Sequence, residues 1–368
     1  MIVIAALALL IWLYLLFGHG RFWQGGPVLE PAPAGSAPSV AIVVPARDEA
    51  ETIEAALRSL LAQDYPGPFG VILVDDESTD GTGAFARAVK DARLTVIAGQ
   101  PRPSGWSGKL WAVAQGVEAA EGADMILLTD ADIVHDRRHL SALVARADGC
   151  DLVSEMVELS CASWPEAALI PAFVFFFQLL YPFAWVNDPL RATAAAAGGT
   201  ILVRRRALRR IGGIQAVRGA LIDDVALAAA VKHGGRIWLG HSVLARSARA
   251  YPRVGDIWRM IARTAYVQLR YSPLLLLGCV LAMALTWMVP PLAAIAGRGA
   301  ARAMGAAAWA AMAWAYLPTL RRLRLSPLWA PFLPLVALFY TAATIGSAFN
   351  HHFGRGVTWK SRAYSGGA

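Results

Sequence analysis

Asp130 and Asp132 stand at the end of an apolar run, Met125-Ile126-Leu127-Leu128-Thr129, with one alanine between them. A short apolar run bounded by turn signals reads as a fully buried strand. Side chains at i and i+2 of a strand point the same way, so the two carboxylates converge just past its end. Carboxylates held that close repel unless a cation or a shared proton relieves them. A hard divalent ion suits such oxygens, and Mg2+ commonly takes one or two carboxylates together with substrate phosphates. The pattern therefore points to a site for Mg2+ or Mn2+ and a diphosphate. An isolated Asp-x-Asp is more often a solvated loop, so its meaning depends on the rest of the chain.

Other stretches supply that context. Pro45-Ala46-Arg47-Asp48-Glu49 follows an apolar run at 40–44, and Asp75-Asp76-Glu77-Ser78-Thr79-Asp80-Gly81-Thr82 follows another at 71–74. Capping and turn formation explain Ser78, Thr79 and Asp80. They do not explain Asp75 and Asp76, which sit at the end of a buried strand. Ile222-Asp223-Asp224 opens an alanine-rich segment that stops at Lys232-His233-Gly234-Gly235. Basic residues and then glycine mark the end of a helix. One aspartate caps its start, which leaves the second for chemistry. Ser104-Gly105-Trp106-Ser107-Gly108-Lys109 precedes another helix. Glycines allow close backbone approach, a helix start attracts anions, and Lys109 adds a positive charge for a diphosphate. A plain helix-entry loop would look the same.

The elements that must hold these residues follow from the periodicity. Apolar runs at 40–44, 71–74, 94–97 and 125–128 alternate with helix-like segments near 50–62, 82–90, 109–120 and 137–147. Alternating βα units predict a parallel sheet with helices on both faces. Ligands of such sheets sit outside the carboxyl ends of the strands, and the acidic stretches after the first, second and fourth runs all fall there. Strand-like runs at 200–203 and 237–239 continue the domain. Between them and the earlier strands, residues 167–186 are nearly all apolar, with Phe173, Phe175, Phe176 and Phe177, but are interrupted by Pro171, Gln178 and Pro182. This segment reads as an interfacial or re-entrant element inside the α/β domain. The plainer alternative is a buried core helix.

Only 16% of the 368 residues are charged, 57% are hydrophobic and the mean hydropathy is +0.46. Soluble domains average about 25% charged residues, so the chain reads as a membrane protein with a soluble portion. Residues 1–24 read as an uncleaved anchor, because 1–17 carry no charge and no cleavage signal follows. Residues 25–39 form a Gly/Pro/Ala linker, 40–250 the α/β domain with its insert near 165–186, and 251–271 an amphipathic interfacial helix. Residues 272–350 hold membrane helices, with candidates at 273–296, 303–320 and 328–348, and 351–368 form a basic tail. Arg21 and the cluster Arg321-Arg322-Arg324 place the α/β domain in the cytoplasm; the same alternation puts Arg355, Lys360 and Arg362 outside, against the positive-inside rule. The net charge of +8 fits that rule, or attraction to anionic lipid or phosphate. Cys150, Cys161 and Cys279 have no metal or redox spacing.

Taken together, the motifs 44–49, 74–82, 105–109, 129–132 and 222–224, with the terminal membrane helices, resemble the family 2 glycosyltransferases. The similarity covers nearly the whole chain and looks most like the hopanoid-biosynthesis-associated membrane subgroup. It implies an α/β GT-A (Rossmann-like) nucleotide-sugar-binding domain plus transmembrane helices. By the resemblance, Pro45, Ala46, Arg47 and Glu49 line the nucleotide pocket, and Asp75 and Asp76 contact base and ribose. Asp130 and Asp132 hold metal and diphosphate, with Lys109 beside them. Asp224 fits the catalytic base. The family motif is usually Thr-Glu-Asp, whereas this chain reads Ile222-Asp223-Asp224, so Asp223 is a possible substitute. Processive members carry Gln-x-x-Arg-Trp; Gln268-Leu269-Arg270-Tyr271 has the wrong spacing, which implies transfer of a single sugar.

The implied reaction is an inverting, metal-dependent displacement from a nucleotide-sugar, a UDP-sugar by preference, onto a membrane lipid such as a hopanoid. It would run on the cytoplasmic face of a bacterial-type inner membrane, with no nucleic-acid partner. Asp224, in the first helical turn, is expected to be ionised at neutral pH. Two other classes compete: a membrane nucleotidyltransferase, and an inactive membrane scaffold. The first lacks the Gly-rich pyrophosphate loop it would need, and the second leaves the set of aspartates unexplained.

Overall fold

A computed structural model describes residues 1–353, with the backbone of Thr358–Trp359 and Arg362–Ala363. Arg355, Lys360 and the Arg362 side chain of the expected basic tail lie outside the described residues. The chain divides into two units: Pro27–Leu159 with Trp185–Ala250, and Met1–Gly26 with Ser160–Ala184 and Tyr251–Thr358.

The first unit is built on a nine-stranded sheet. Its strands are β1 (Val28–Leu29), β2 (Val40–Ala46), β3 (Phe69–Asp75), β4 (Leu94–Ala98), β5 (Met125–Thr129), β6 (Ile133–His135), β7 (Leu152–Glu158), β8 (Thr200–Arg204) and β9 (Ile237–Ser247). The order is β1-β9-β7-β8-β5-β2-β3-β4, and β6 pairs with β9. Every residue of β2 and β5 is buried. Central strands covered on both faces need such continuous apolar runs. The helix Ile53–Leu61 buries Ile53, Ala56, Leu57, Leu60 and Leu61, the 3.6-residue stripe of a helix that covers a sheet. Gly108–Ala119 starts at Ser107, whose side chain accepts from Leu110 N–H.

β2, β3, β4 and β5 run parallel, as the alternation predicts. The sheet as a whole is mixed, which corrects the expectation of a parallel one. β8 runs antiparallel to both β5 and β7, so Thr200, its first residue, pairs with Thr129, the last of β5. The loop before β8 is thereby delivered to the same rim as the strand ends. The chain runs from β2 outward to β3 and β4, then returns to β5 on the other side of β2. That reversal creates a crevice between the ends of β2 and β5.

The second unit is helical. It contains Ile2–Phe17, Trp164–Leu180, Val254–Ala262, Ala300–Arg322 and two longer apolar helices, Pro273–Ala296 and Pro327–Phe353. Among the described residues, only these last two are long and apolar enough to cross a membrane. Ile2–Phe17 is apolar but has 16 residues, about 24 Å against a hydrocarbon core of about 30 Å. Ala300–Arg322, around the expected 303–320 span, contains Arg302, Arg321 and Arg322 and does not meet the same test.

Of the expected insert at 165–186, all but Trp185 and Val186 belongs to this helical unit and not to the α/β domain. Ser163 and Glu166 form a capping box at its start, and Ile170, Ala172 and Phe175 are fully buried. Phe175 packs edge-on against Tyr316 at 5.2 Å and Phe176 against Tyr340 at 5.0 Å. All-round apolarity here serves a protein interior. The amphipathic helix also turns its apolar side inward: Ile257 is buried and Trp258 packs on Phe339 at 5.5 Å. A π-helical turn, Ala284–Met288, interrupts Pro273–Ala296, and the carbonyl of Thr286 accepts from Trp12 Nε1 at 2.8 Å. Such turns leave carbonyls open to outside donors.

Candidate active site

The crevice between β2 and β5 is lined by Pro45, Lys109, Asp130, Gly198, Asp223 and Asp224. Each arrives for a local reason. Pro45 is next to last in β2, and Asp130 is the first residue past β5. Lys109 is in the first turn of Gly108–Ala119, and Asp223 and Asp224 open the helix Asp223–Lys232. Gly198 comes with the loop before β8; a Cβ on it would lie 3.3 Å from Asp224 Oδ2 and 3.5 Å from Lys109 Nζ.

Lys109 is the centre of charge. Its Nζ lies 2.8 Å from Asp130 Oδ1 and 3.4 Å from Asp223 Oδ2. Burial would lower the Lys109 pKa, but the charges of Asp130 and Asp223 more than reverse that, so it stays protonated. Burial raises Asp130, Lys109 opposes the shift and Asp132 adds to it. The two partners are both raised; at 2.8 Å from a strongly held ammonium, the Asp130–Lys109 pair is ionic at neutral pH.

Asp224 departs from expectation. Burial first, then the charge of Asp223, pushes its carboxyl up to about 7, against Lys109 and the Val225 N–H, which lower it. It is therefore not fully ionised at neutral pH, because desolvation outweighs the helix terminus. Nor does either aspartate cap the helix: the residue before the helix is Ile222, and no side chain caps it. Both aspartates are left for the cleft.

Asp132 lies in a second group. Its Oδ2 accepts from Arg249 Nε at 2.7 Å, and Arg249 Nη2 reaches Glu49 at 2.5 and 2.6 Å. Arg249 is a residue that sequence reasoning missed. It is 117 positions from Asp132 and 200 from Glu49, and no local pattern marks it. Antiparallel pairing of β6 with β9, extended by Ala248 N–H to the Asp132 carbonyl at 2.7 Å, brings it there.

Arg47, Asp75 and Asp76 form a third group, outside the lining of the cleft. Arg47 Nη1 donates to the Asp76 carbonyl at 2.5 Å and lies 3.7 Å from its buried carboxylate. Asp75 accepts from Ser78 N–H at 3.1 Å. The expected capping by Ser78 and Thr79 is corrected: the residue before the next helix is Gly81, with no side-chain cap, and Ser78 and Thr79 instead tie the rim loops together. Asp48 N–H donates to the Ser78 hydroxyl at 3.1 Å, and Thr79 N–H donates to Asp48 Oδ1 at 2.8 Å. Asp48 and Glu77 hold positive φ, 50° and 54°. Such backbone costs about 1–3 kcal/mol where the surroundings enforce it, and is common at ligand sites.

The fit of a divalent metal can be judged from the donors. Among the described residues no group of three or more His, Cys, Asp or Glu side chains forms a cage. Asp130 Oδ2 and Asp132 Oδ1 each make no hydrogen bond among the described residues, whereas their other oxygens face Lys109 and Arg249. Two hard oxygens, one per carboxylate, suit an ion that takes its remaining ligands from a diphosphate and water.

A family model, glycosyl transferase family 21, matches residues 1–366. It is of the family 2 type, so the resemblance read from the motifs stands. The succinoglycan biosynthesis protein ExoO of Rhizobium meliloti is 36% identical over 120 residues, 33% of this chain and 33% of that protein. The glycosyltransferase AglE of Haloferax volcanii is 29% identical over 136 residues, 36% of this chain and 43% of that one. The matches thus span about a third and two fifths of the relatives' length. Among solved structures, a mannosyltransferase of Pyrobaculum calidifontis in complex with GDP-Man and Mn2+ aligns with a TM-score of 0.55 and 22% identity, over 94% of this chain and 99% of that one. That likeness shows the fold, which is the α/β GT-A type expected. None of the three is named for a hopanoid.

Proposed function

The chain belongs to glycosyl transferase family 21, and from that premise we propose that it is a membrane-bound inverting enzyme that moves a single sugar from a nucleotide-sugar donor to a lipid hydroxyl. The observation that carries the reading is the convergence of Asp223, Asp224, Lys109 and Asp130 in the crevice between β2 and β5. The donor is a nucleoside diphosphate sugar, with a UDP-sugar as the first choice; the Pyrobaculum mannosyltransferase of the same fold was solved with GDP-Man. Pro45, Ala46, Arg47, Glu49, Asp75 and Asp76 are assigned to the nucleotide side. The acceptor is a membrane lipid, of which a hopanoid is the one implied by the motifs.

Deprotonated Asp224 takes the proton of the acceptor hydroxyl. The acceptor oxygen forms a bond to the anomeric carbon as the bond to the diphosphate oxygen breaks on the opposite face. Lys109 offsets the negative charge of Asp130 and Asp223, so a diphosphate can approach three carboxylates. Asp130 and Asp132 would hold Mg2+ or Mn2+, which would supply Lewis-acid stabilisation of the leaving diphosphate. The developing positive charge on the sugar favours nearby carboxylates.

Membrane placement rests on Pro273–Ala296 and Pro327–Phe353. Leu274, Leu277, Leu281, Leu292, Leu335 and Leu338 on them are exposed, an outward apolar surface that hydrocarbon would cover. The α/β unit is assigned to the cytoplasm by the arginine bias. Single cysteines at Glu51 and Arg321, both exposed, should react with a membrane-impermeant maleimide only from the cytoplasmic side. Gly83 is unsuitable, because a Cβ there would collide with the Asp75 carboxylate. Labelling from the outer side at either position would reverse the topology.

The activity is tested with radiolabelled nucleotide-sugars, membranes carrying the protein, and total lipid extract. Label should enter the lipid phase one sugar per acceptor, with the nucleoside diphosphate released. Chelation by EDTA should stop incorporation and Mg2+ or Mn2+ restore it. Release of pyrophosphate would mark a nucleotidyltransferase; no turnover with any donor would mark a scaffold; full turnover in chelator would remove the metal.

A further inference from the structure

A hydrogen-bonded chain crosses the interior of the α/β unit and ends at the cleft. The Thr129 hydroxyl donates to the Gly199 carbonyl at 2.9 Å and lies 3.2 Å from His135 Nε2. His135 Nδ1 lies 2.9 Å from His139 Nδ1, and His139 Nε2 lies 2.5 Å from Glu155 Oε1. Thr129, His135, His139 and Glu155 are 0–5% exposed.

Counting hydrogens fixes the direction of this chain. A hydroxyl has one hydrogen. Thr129 gives it to Gly199, so it can only accept from His135. His135 then carries its proton on Nε2 and accepts at Nδ1, which His139 must supply from its own Nδ1. One further proton lies between His139 Nε2 and Glu155 Oε1, which makes the assembly neutral. Burial, with His139 adjacent, holds His135 far below the ordinary imidazole range, in agreement with its single proton.

The two glycines at the end of the chain have no side chains to fix them, and glycine has the most backbone freedom to lose. They are held from both sides instead. Thr129, on β5 immediately before Asp130, grips the Gly199 carbonyl. Ser154, on β7 immediately before Glu155, accepts from Ala197 N–H at 2.9 Å and donates to the Thr200 carbonyl at 2.9 Å. Between these grips Gly198 faces Asp224 and Lys109. The interior meets a cost for the arrangement, since Glu155 Oε2 is buried with no hydrogen-bond partner among the described residues. Packing alone would be served by an apolar residue there.

We propose that His135, His139 and Glu155 are positioning residues: they aim the Thr129 hydroxyl at Gly199 and so set the distance from Asp130 to the Gly198 edge of the transfer site. The inference rests on the transferase reading above. It gives a buried polar network a task that is neither catalytic contact nor packing. Small displacements of such an edge are costly, because about 1 Å of misplacement lowers rates up to about 10²-fold.

Thr129→Val removes the hydroxyl and keeps the shape; Thr129→Ser keeps the hydroxyl. Two readouts on the full-length protein are needed: 15N NMR of labelled histidines, and kcat for sugar transfer beside the thermal midpoint. In Thr129→Val the imidazole nitrogens of His135 and His139 should shift, the midpoint should drop because the His135 Nε2–H and the Gly199 carbonyl lose a buried partner, and kcat measured well below that midpoint should fall about 10–10²-fold. Thr129→Ser should restore each of these. His135→Gln should lower kcat alone but add little in the Thr129→Val background, since both act through one contact. Unchanged imidazole signals in Thr129→Val, unchanged kcat, or losses that simply add in the double variant each overturn the inference. Wild-type protein that transfers no sugar overturns the transferase reading and this inference with it; an active wild type with any of those results overturns this inference alone.

Discussion

Asp224→Asn is expected to lower turnover about 10²–10⁴-fold, the usual worth of a general base, with donor affinity nearly unchanged. Asparagine keeps the size and can still accept from Val225 N–H, which Asp224 Oδ1 does at 2.8 Å. What it loses is the basic oxygen. The pH dependence separates this from a structural effect. Burial and the Asp223 charge raise the Asp224 carboxyl to about 7. A base works only when deprotonated, so kcat/KM, which reports the free enzyme, should rise with pH through a midpoint near that value. Asp224→Asn should abolish this limb. Asp223→Asn removes a charge that raises Asp224, so its limb should move to lower pH while turnover falls less. Initial rates of both variants across the pH range decide the matter. Exchanged phenotypes would make Asp223 the base; two unaffected variants would leave the displacement without one.

The strand ends were legible because a buried parallel strand needs a continuous apolar run, and each run here stops at a charged or turn-forming residue. Val40–Ala46, Phe69–Asp75 and Met125–Thr129 therefore fall where the pattern puts them, with their acids on one rim. The direction of Thr200–Arg204 was not legible. Five apolar-rich residues carry no sign for parallel or antiparallel pairing, and the mixed sheet follows from where the chain comes back.

Residues 164–180 failed for a related reason: apolarity on all sides suits lipid and protein interior alike, and only the partners of Phe175 and Phe176 distinguish them. Arg249 was invisible because its role depends on pairings more than a hundred positions apart. The protonation of Asp224 was misjudged because a helix terminus can be seen in sequence, whereas the burial that overrides it cannot. The same holds for His135 and His139, four positions apart, which no sequence pattern singled out and whose burial by β6 and the following helix cannot be seen in sequence.

Lys109→Met is expected to lower both stability and turnover, and its signature is how the stability loss depends on pH. Methionine retains the length of the stem and removes the ammonium. Asp130 and Asp223 lose their ion-pair partner, and three carboxylates face one another. Breaking a buried pair costs about 3–5 kcal/mol. The lower figure applies here, because the Lys109 side chain is 22% and that of Asp130 35% exposed. Lys109 lowers the Asp224 carboxyl, so without it the base is protonated over more of the neutral range. Its kcat/KM limb should move to higher pH, opposite to the shift in Asp223→Asn. The Lys109 pKa is raised on folding, so its stabilising contribution is fully present at neutral pH and is lost only as pH rises through that raised value. On the acid side, Asp224 in the variant is neutral up to a pH above the wild-type value of about 7, and its share of the repulsion is relieved there. The gap in thermal midpoint between wild type and Lys109→Met should therefore be widest above the variant's own Asp224 midpoint and smaller below about 7, where the lost Lys109–Asp130 pair still separates the two proteins. Lys109→Arg, which keeps the charge, should recover most of the midpoint. A gap of equal size across the range would mean that Lys109 supports the cleft by packing, and that the carboxylates do not depend on its charge.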